Sequence, residues 1–261
     1  MAEHPHRGRH IALGILVVLV AVGGFGYWWI FVRDDSKPVN VKQVEKDFQA
    51  AGGVHATKGG APPAGVYLYS TTGHESVSAL GGQSHTYPAT TAATITATHC
   101  GFDERWDVLS GRFDINQRCR GANGSWTVTS TATGDEFFNN AVVDTYTCTG
   151  FVDLPASPRA GASSRGHCVS GPNTTDYEVK VLGTGNRTVG GVTVDAVHLH
   201  ITFTQGGGRR GGGTEDRWVQ SGSDLVLASR QSEKDISPSP VGQVTYEQEF
   251  TITLRSLTPR G

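Results

Sequence analysis

The sequence predicts an all-β protein: a single N-terminal transmembrane helix followed by an antiparallel curved sheet or half-barrel, with a β-sandwich as the alternative architecture. Three observations predict it. From about Gly65 onward apolar and polar residues alternate with period two, the spacing of a half-buried strand. The chain is rich in Gly (35), Thr and Val, which suit turns and strands better than helices. The only long apolar stretch lies at the N-terminus, where Ile11 to Val32 forms 22 consecutive positions without a charge.

The elements follow in chain order. Residues 1–10 form a short polar tail, expected in the cytoplasm. As a helix, residues 11–32 span roughly 33 Å, enough for a hydrocarbon core of about 30 Å. Tyr27, Trp28 and Trp29 stand near the end of the run, where rings favour the membrane interface. Ala21-Val22-Gly23 resembles a signal-cleavage site, but the apolar run continues nine residues beyond Gly23, longer than a signal peptide needs. Flanking Lys and Arg argue weakly against an outside C-terminus, since Arg7 and Arg9 precede the run while Arg33, Lys37, Lys42 and Lys46 follow it. A long C-terminal domain crosses largely regardless of such charges. The four cysteines, Cys100, Cys119, Cys148 and Cys168, all lie downstream and lack the Cys-x₂-Cys spacing of a zinc site. They point to two disulfides, of which three pairings are possible, and so to an oxidising compartment. The expectation is a single-pass plasma-membrane protein with its C-terminal domain outside.

Residues 33–64 are expected as a stalk. Asn40 and Gln43 make a weak capping box, Val41, Val44 and Phe48 share one helical face, and Gly52–Gly53 ends the run. KGGAPPAG is linker chemistry. Residues 65–259 are the folded domain. There the alternation places Phe102, Trp106 and Val108 on one face against Asp103, Arg105 and Asp107, and Phe113, Ile115 and Cys119 against Asp114, Asn116 and Arg118. Further runs carry Trp126 and Val128, Val142 and Tyr146, Tyr177 to Val181, Val197 to Phe203, and Val244 to Leu254. GGQS, GANG, LGTGN, GGGRRGGG and SGSD are the expected turns, giving nine to eleven strands.

The segments GVYLYSTTGHESVSALGG, THCGFDERWDVL, EFFNNAVVDTYTCTG, VGGVTVDAVHLHITFTQ, EDRWVQSGSDLVLASRQ and VTYEQEFTITLRSLTP resemble an uncharacterised group of membrane-anchored ectodomains from high-GC Gram-positive bacteria. The excess of Arg (16) over Lys (6) agrees with a GC-rich coding sequence. The order of a long strand, a Trp-bearing hairpin and a long final strand is also similar to the antiparallel half-barrels of lipoprotein carriers. The first resemblance implies no known activity. The second implies a concave apolar face that shelters acyl chains.

Residue type and spacing offer several candidate sites. His198 and His200 share one face of a strand, a start for a metal site, but no third ligand accompanies them in the sequence. GASSRG (161–166) breaks the Gly-x-Ser-x-Gly pattern of a hydrolase. Asp103/Glu104, Asp135/Glu136 and Glu215/Asp216 are adjacent acids that point to opposite sides of a strand. With a net charge of −2 there is no global field to gather nucleic acid. Tyr67, Tyr69, Trp106, Trp126, Trp218 and Tyr246 are the candidate lining of a ligand cavity, and Arg209 and Arg210 candidate contacts for an anionic head group. The expectation is a non-enzymatic ectodomain without a cofactor that binds a hydrophobic or lipid-like envelope molecule. A protein-interaction or sensing module is the alternative.

Overall fold

The computed structural model describes residues 36–53, 60–239 and 242–261. The tail at 1–10 and the membrane helix at 11–32 lie outside the described residues. Among the described residues no helix is long and apolar enough to cross a membrane.

Among the described residues one α-helix, α1 (Val41–Ala50), precedes fourteen strands. These are β1 (Gly65–Val77), β2 (Gln83–Thr86), β3 (Thr90–Ala97), β4 (Gly101–Asp107), β5 (Phe113–Arg120), β6 (Trp126–Phe137) and β7 (Asn140–Thr149). They continue as β8 (Val152–Leu154), β9 (Ser163–Ser170), β10 (Asn173–Val189), β11 (Val192–Gly206), β12 (Arg210–Gln220), β13 (Val226–Ser239) and β14 (Gly242–Leu254). Each strand pairs antiparallel with its sequence neighbours, apart from the short β2 and β8, which pair with β1 and β6. The half-barrel expectation is corrected by the pairing of β1 with β14, from Tyr69↔Leu254 to Val77↔Tyr246. Twelve strands thereby close into a barrel. Closure satisfies the edge groups that an open sheet would leave bare.

Local chemistry sets the hairpins. β10 and β11 join through Gly190 and Gly191 at φ 57° and 85°, a two-residue loop that needs positive φ at both positions. Two expected turns are strand instead. LGTGN lies inside β10, with a bulge at Leu182, and Gly211–Gly213 of GGGRRGGG lie inside β12. Glycines there serve close approach: a Cβ on Gly213 would stand 2.2 Å from the Ser232 carbonyl and 2.7 Å from the Phe203 ring.

The cysteines pair as Cys100–Cys119, between the start of β4 and β5, and Cys148–Cys168, directly opposed across β7 and β9. The outward face is polar. Along β14 it carries Thr245, Glu247, Glu249, Thr251 and Thr253, with Glu247 paired to Lys234 and Glu249 to Arg230. Helix α1 is no free spacer. Asn40 caps it by accepting from the Lys42 and Gln43 amides, and Phe48 packs on Ala64, Val66 and Ala92 on the outside of β1 and β3.

Candidate functional site: the barrel lumen

The barrel is packed solid at one end. Tyr67, Ile95, Phe102, Trp126, Leu199, Leu225 and Leu227 are essentially inaccessible there. Just above this plug sits a buried ion network. Arg118 donates to Glu104 at 2.6 Å and to Asp153 at 3.2 Å, and lies 3.1 Å from Asp224. Arg217 pairs with Asp153 at 2.8 Å and grips Glu215 with two hydrogen bonds. Burial pushes the Asp153 carboxyl up, but Arg217 and Arg118 outweigh it and leave it below its ordinary value. Burial and the charge of Asp153 raise Asp224 well above its ordinary value.

Above the network the barrel opens into a lumen of about 330 Å³, within the size range of small-molecule sites. Its middle is aromatic. Trp106 donates to Thr91 at 2.8 Å and lies 4.6 Å from Phe250, while Tyr177 and Phe203 are 5.9 Å apart. Val142, Val244 and Tyr246 line the upper part. Charge is interleaved with these rings, since seven carboxylates and four guanidiniums line the same space.

At the mouth Arg112, only 2% exposed, collects three acids. It holds Asp114 through both terminal nitrogens at 2.9 Å and lies 3.2 Å from Glu75 and 3.4 Å from Asp135. Glu75 also contacts His85 at 2.8 Å and accepts from Tyr87 and Tyr246. Burial raises Asp135 to about 6 despite Arg112. Glu233 and Asp235, two residues apart on β13, face the lumen together. Burial and the charge of Asp235 raise Glu233 well above its ordinary value, and burial raises Asp235.

The upper rim has two side-chain seams. β7 pairs with β9 only over Thr147–Thr149, and beyond that Arg209 from the β11–β12 turn forms an ion pair with Asp144 on β7. On the other flank of the β6–β7 hairpin, His85 stacks on Phe137 at 4.7 Å and the Phe138 amide donates to the Gln83 side chain at 2.7 Å.

Of the predicted lining residues, Tyr69, Trp106 and Tyr246 reach the lumen. Tyr67 and Trp126 belong to the plug, donating to Pro63 and Gly222 carbonyls. Trp218 points outward, stacked on His198 at 4.3 Å and with the Arg187 guanidinium 4.2 Å from its ring centre. Arg209 lines the mouth, whereas Arg210 is exposed at the start of β12. His198 and His200 share Asp216 on the outer wall, and among the described residues no three metal-type side chains converge. The adjacent acids do split across their strands: Glu104, Asp135 and Glu215 face inward and their neighbours outward.

On β5 the inward face is the polar one. Asp114, Asn116 and Arg118 face the lumen, while Phe113 faces outward under the Arg105 guanidinium at 3.8 Å. The pairings Trp106↔Asp114 and Glu104↔Asn116 fix that face. No motif in the sequence marks Arg112, Glu75, Glu233 or Asp235. Their signal is the i, i+2 spacing of Arg112/Asp114 and Glu233/Asp235, which puts both members on one face.

No protein-family model and no curated protein matches the chain. Among solved structures, the hypothetical lipoprotein YmcC from Escherichia coli (K12) is similar at 12% identity and a TM-score of 0.33, over 84% of this chain and 100% of that one.

Proposed function

We propose that this chain is a non-enzymatic, membrane-tethered ectodomain that receives a hydrophobic or lipid-like envelope molecule in the barrel lumen. The observation that carries the reading is the lumen itself, a cavity of about 330 Å³ walled by Trp106, Tyr177, Phe203, Tyr246 and Phe250 inside a disulfide-bonded barrel. Its interleaved charges favour an amphipathic molecule over a bare hydrocarbon, because a bare chain would leave ionised groups without solvation. The 22-residue uncharged run supports the tether, and the disulfides support an oxidising location.

The test is native mass spectrometry of the full chain isolated from membranes. An added mass that leaves on denaturation and dissolves in organic solvent supports the reading. A bare polypeptide, from both native isolation and incubation with envelope lipid extract, refutes it. The second reading, an interaction module, draws on the side of β7 left unpaired over Asn140–Tyr146, where Val142 and Val143 are 44% and 57% exposed. Crosslinking from Val143 to another envelope protein would favour it.

A further inference from the structure

Charge matching inside the lumen leaves one vacancy. Arg112 serves Glu75, Asp114 and Asp135; Arg118 and Arg217 serve Glu104, Asp153, Asp224 and Glu215; Arg209 serves Asp144. Glu233 and Asp235 form no ion pair with Lys or Arg among the described residues, although Lys234 stands between them. Lys234 points outward and pairs with Glu247 at 2.6 Å. Arg112 acts on Glu233 and Arg209 on Asp235 from beyond ion-pair distance, and two acids without a contacting cation in an enclosed space are costly.

A second, independent observation points to a ligand. The Tyr146 hydroxyl has no hydrogen-bond partner, although the residue is 7% exposed and lines the lumen. Asp235 Oδ1 is likewise unpartnered in a residue 5% exposed. Tyr146, Tyr177, Phe203, Glu233 and Asp235 all line this one cavity, and the charges of both acids act on Tyr146. The Phe203 ring lies over Gly213, whose register partner is Glu233. Carboxylates beside aromatic faces are the surroundings that hold an organic cation, through ion pairing, N–H donation and attraction to the ring faces. A divalent metal lacks the converging third ligand among the described residues.

We propose that the lumen's ligand carries a positively charged ammonium group, received by Glu233, Asp235 and the Tyr146 hydroxyl between the rings of Tyr177 and Phe203. This rests on the lumen being a ligand site and names the chemistry of its ligand. An ammonium group there balances the two carboxyl groups and gives the Tyr146 hydroxyl a donor.

The experiment uses the full chain in non-ionic detergent, titrated with decylammonium and, separately, with decanol, reading the fluorescence of the lumen Trp106. Glu233→Gln/Asp235→Asn, measured in the same detergent, corrects for partition into micelles. The expected result is decylammonium binding at least about tenfold tighter than decanol, with that preference lost in the double variant while decanol affinity is unchanged. Tyr146→Phe, which keeps the ring, is expected to lower the preference severalfold and covers the case of a double variant that does not fold. Equal affinities for both probes overturn the ammonium proposal and leave the lumen as a ligand site. Binding of neither probe overturns both.

Discussion

Arg118→Met tests the account of the buried network most directly. Arg118 is 1% exposed and stands against Glu104, Asp153 and Asp224, all nearly or wholly buried. Methionine fills much of the same volume, so the loss is mainly the cation. Arg217 continues to serve Asp153, but Glu104 and Asp224 keep no guanidinium of their own. Stranding buried charge by removing one partner costs about 3–5 kcal/mol. For a domain of this size that corresponds to a fall in Tm of roughly 6–20 °C. The assay is urea unfolding with the disulfides intact, at pH 8 and pH 5.

The sign of the pH effect is part of that prediction. In the native protein Asp153 is held below its ordinary value, so its contribution is present above the unfolded pKa and is lost as pH falls through the folded one. Arg118 lowers both Asp153 and Asp224, so its removal moves both upward, and a raised carboxyl favours the folded state at low pH and opposes it as pH rises through its folded value. The stability deficit should therefore shrink from pH 8 to pH 5. A loss below about 1 kcal/mol at pH 8, or a deficit constant between the two pH values, would refute the reasoning.

Three further outcomes are expected. Asp135, raised to about 6, favours the folded state below its ordinary pKa and loses that contribution as pH rises through 6. Asp135→Asn should thus stabilise the protein by about 1–3 kcal/mol at pH 8 and by little at pH 4, measured by denaturant titration. Gly213→Ala drives a Cβ against the Ser232 carbonyl and the Phe203 ring, and should cost about 1–3 kcal/mol in the same assay. Phe48→Ala should release α1 from β1 and β3, so hydrogen exchange at the amides of Val44 and Ala51 speeds up while the barrel strands keep their protection.

The sequence by itself determined the class of structure. Period-two alternation names strands because successive side chains leave opposite faces of a pleated chain, and it is legible in the long apolar runs such as β1, β4, β11 and β14, whereas β2, β3, β8 and β9 carry no such run and bring the count from the expected nine to eleven up to fourteen. It also placed Val41, Val44 and Phe48 on one helical face, and the four cysteines where two cross-strand bridges form. Alternation reports two faces without saying which is inside. In a solid core the apolar face goes in, as on β14, but a barrel with an open lumen has a second, wet interior. There Asp114, Glu233 and Asp235 turn inward while Phe113 turns out. The closing ladder joins Tyr69–Val77 to Tyr246–Leu254, from opposite ends of the domain, and no local signal encodes that pairing. Only the tertiary structure therefore decided that the sheet closes, that Trp126 is plug and Trp106 lining, and which carboxylates share one space, because each depends on neighbours far away in the chain.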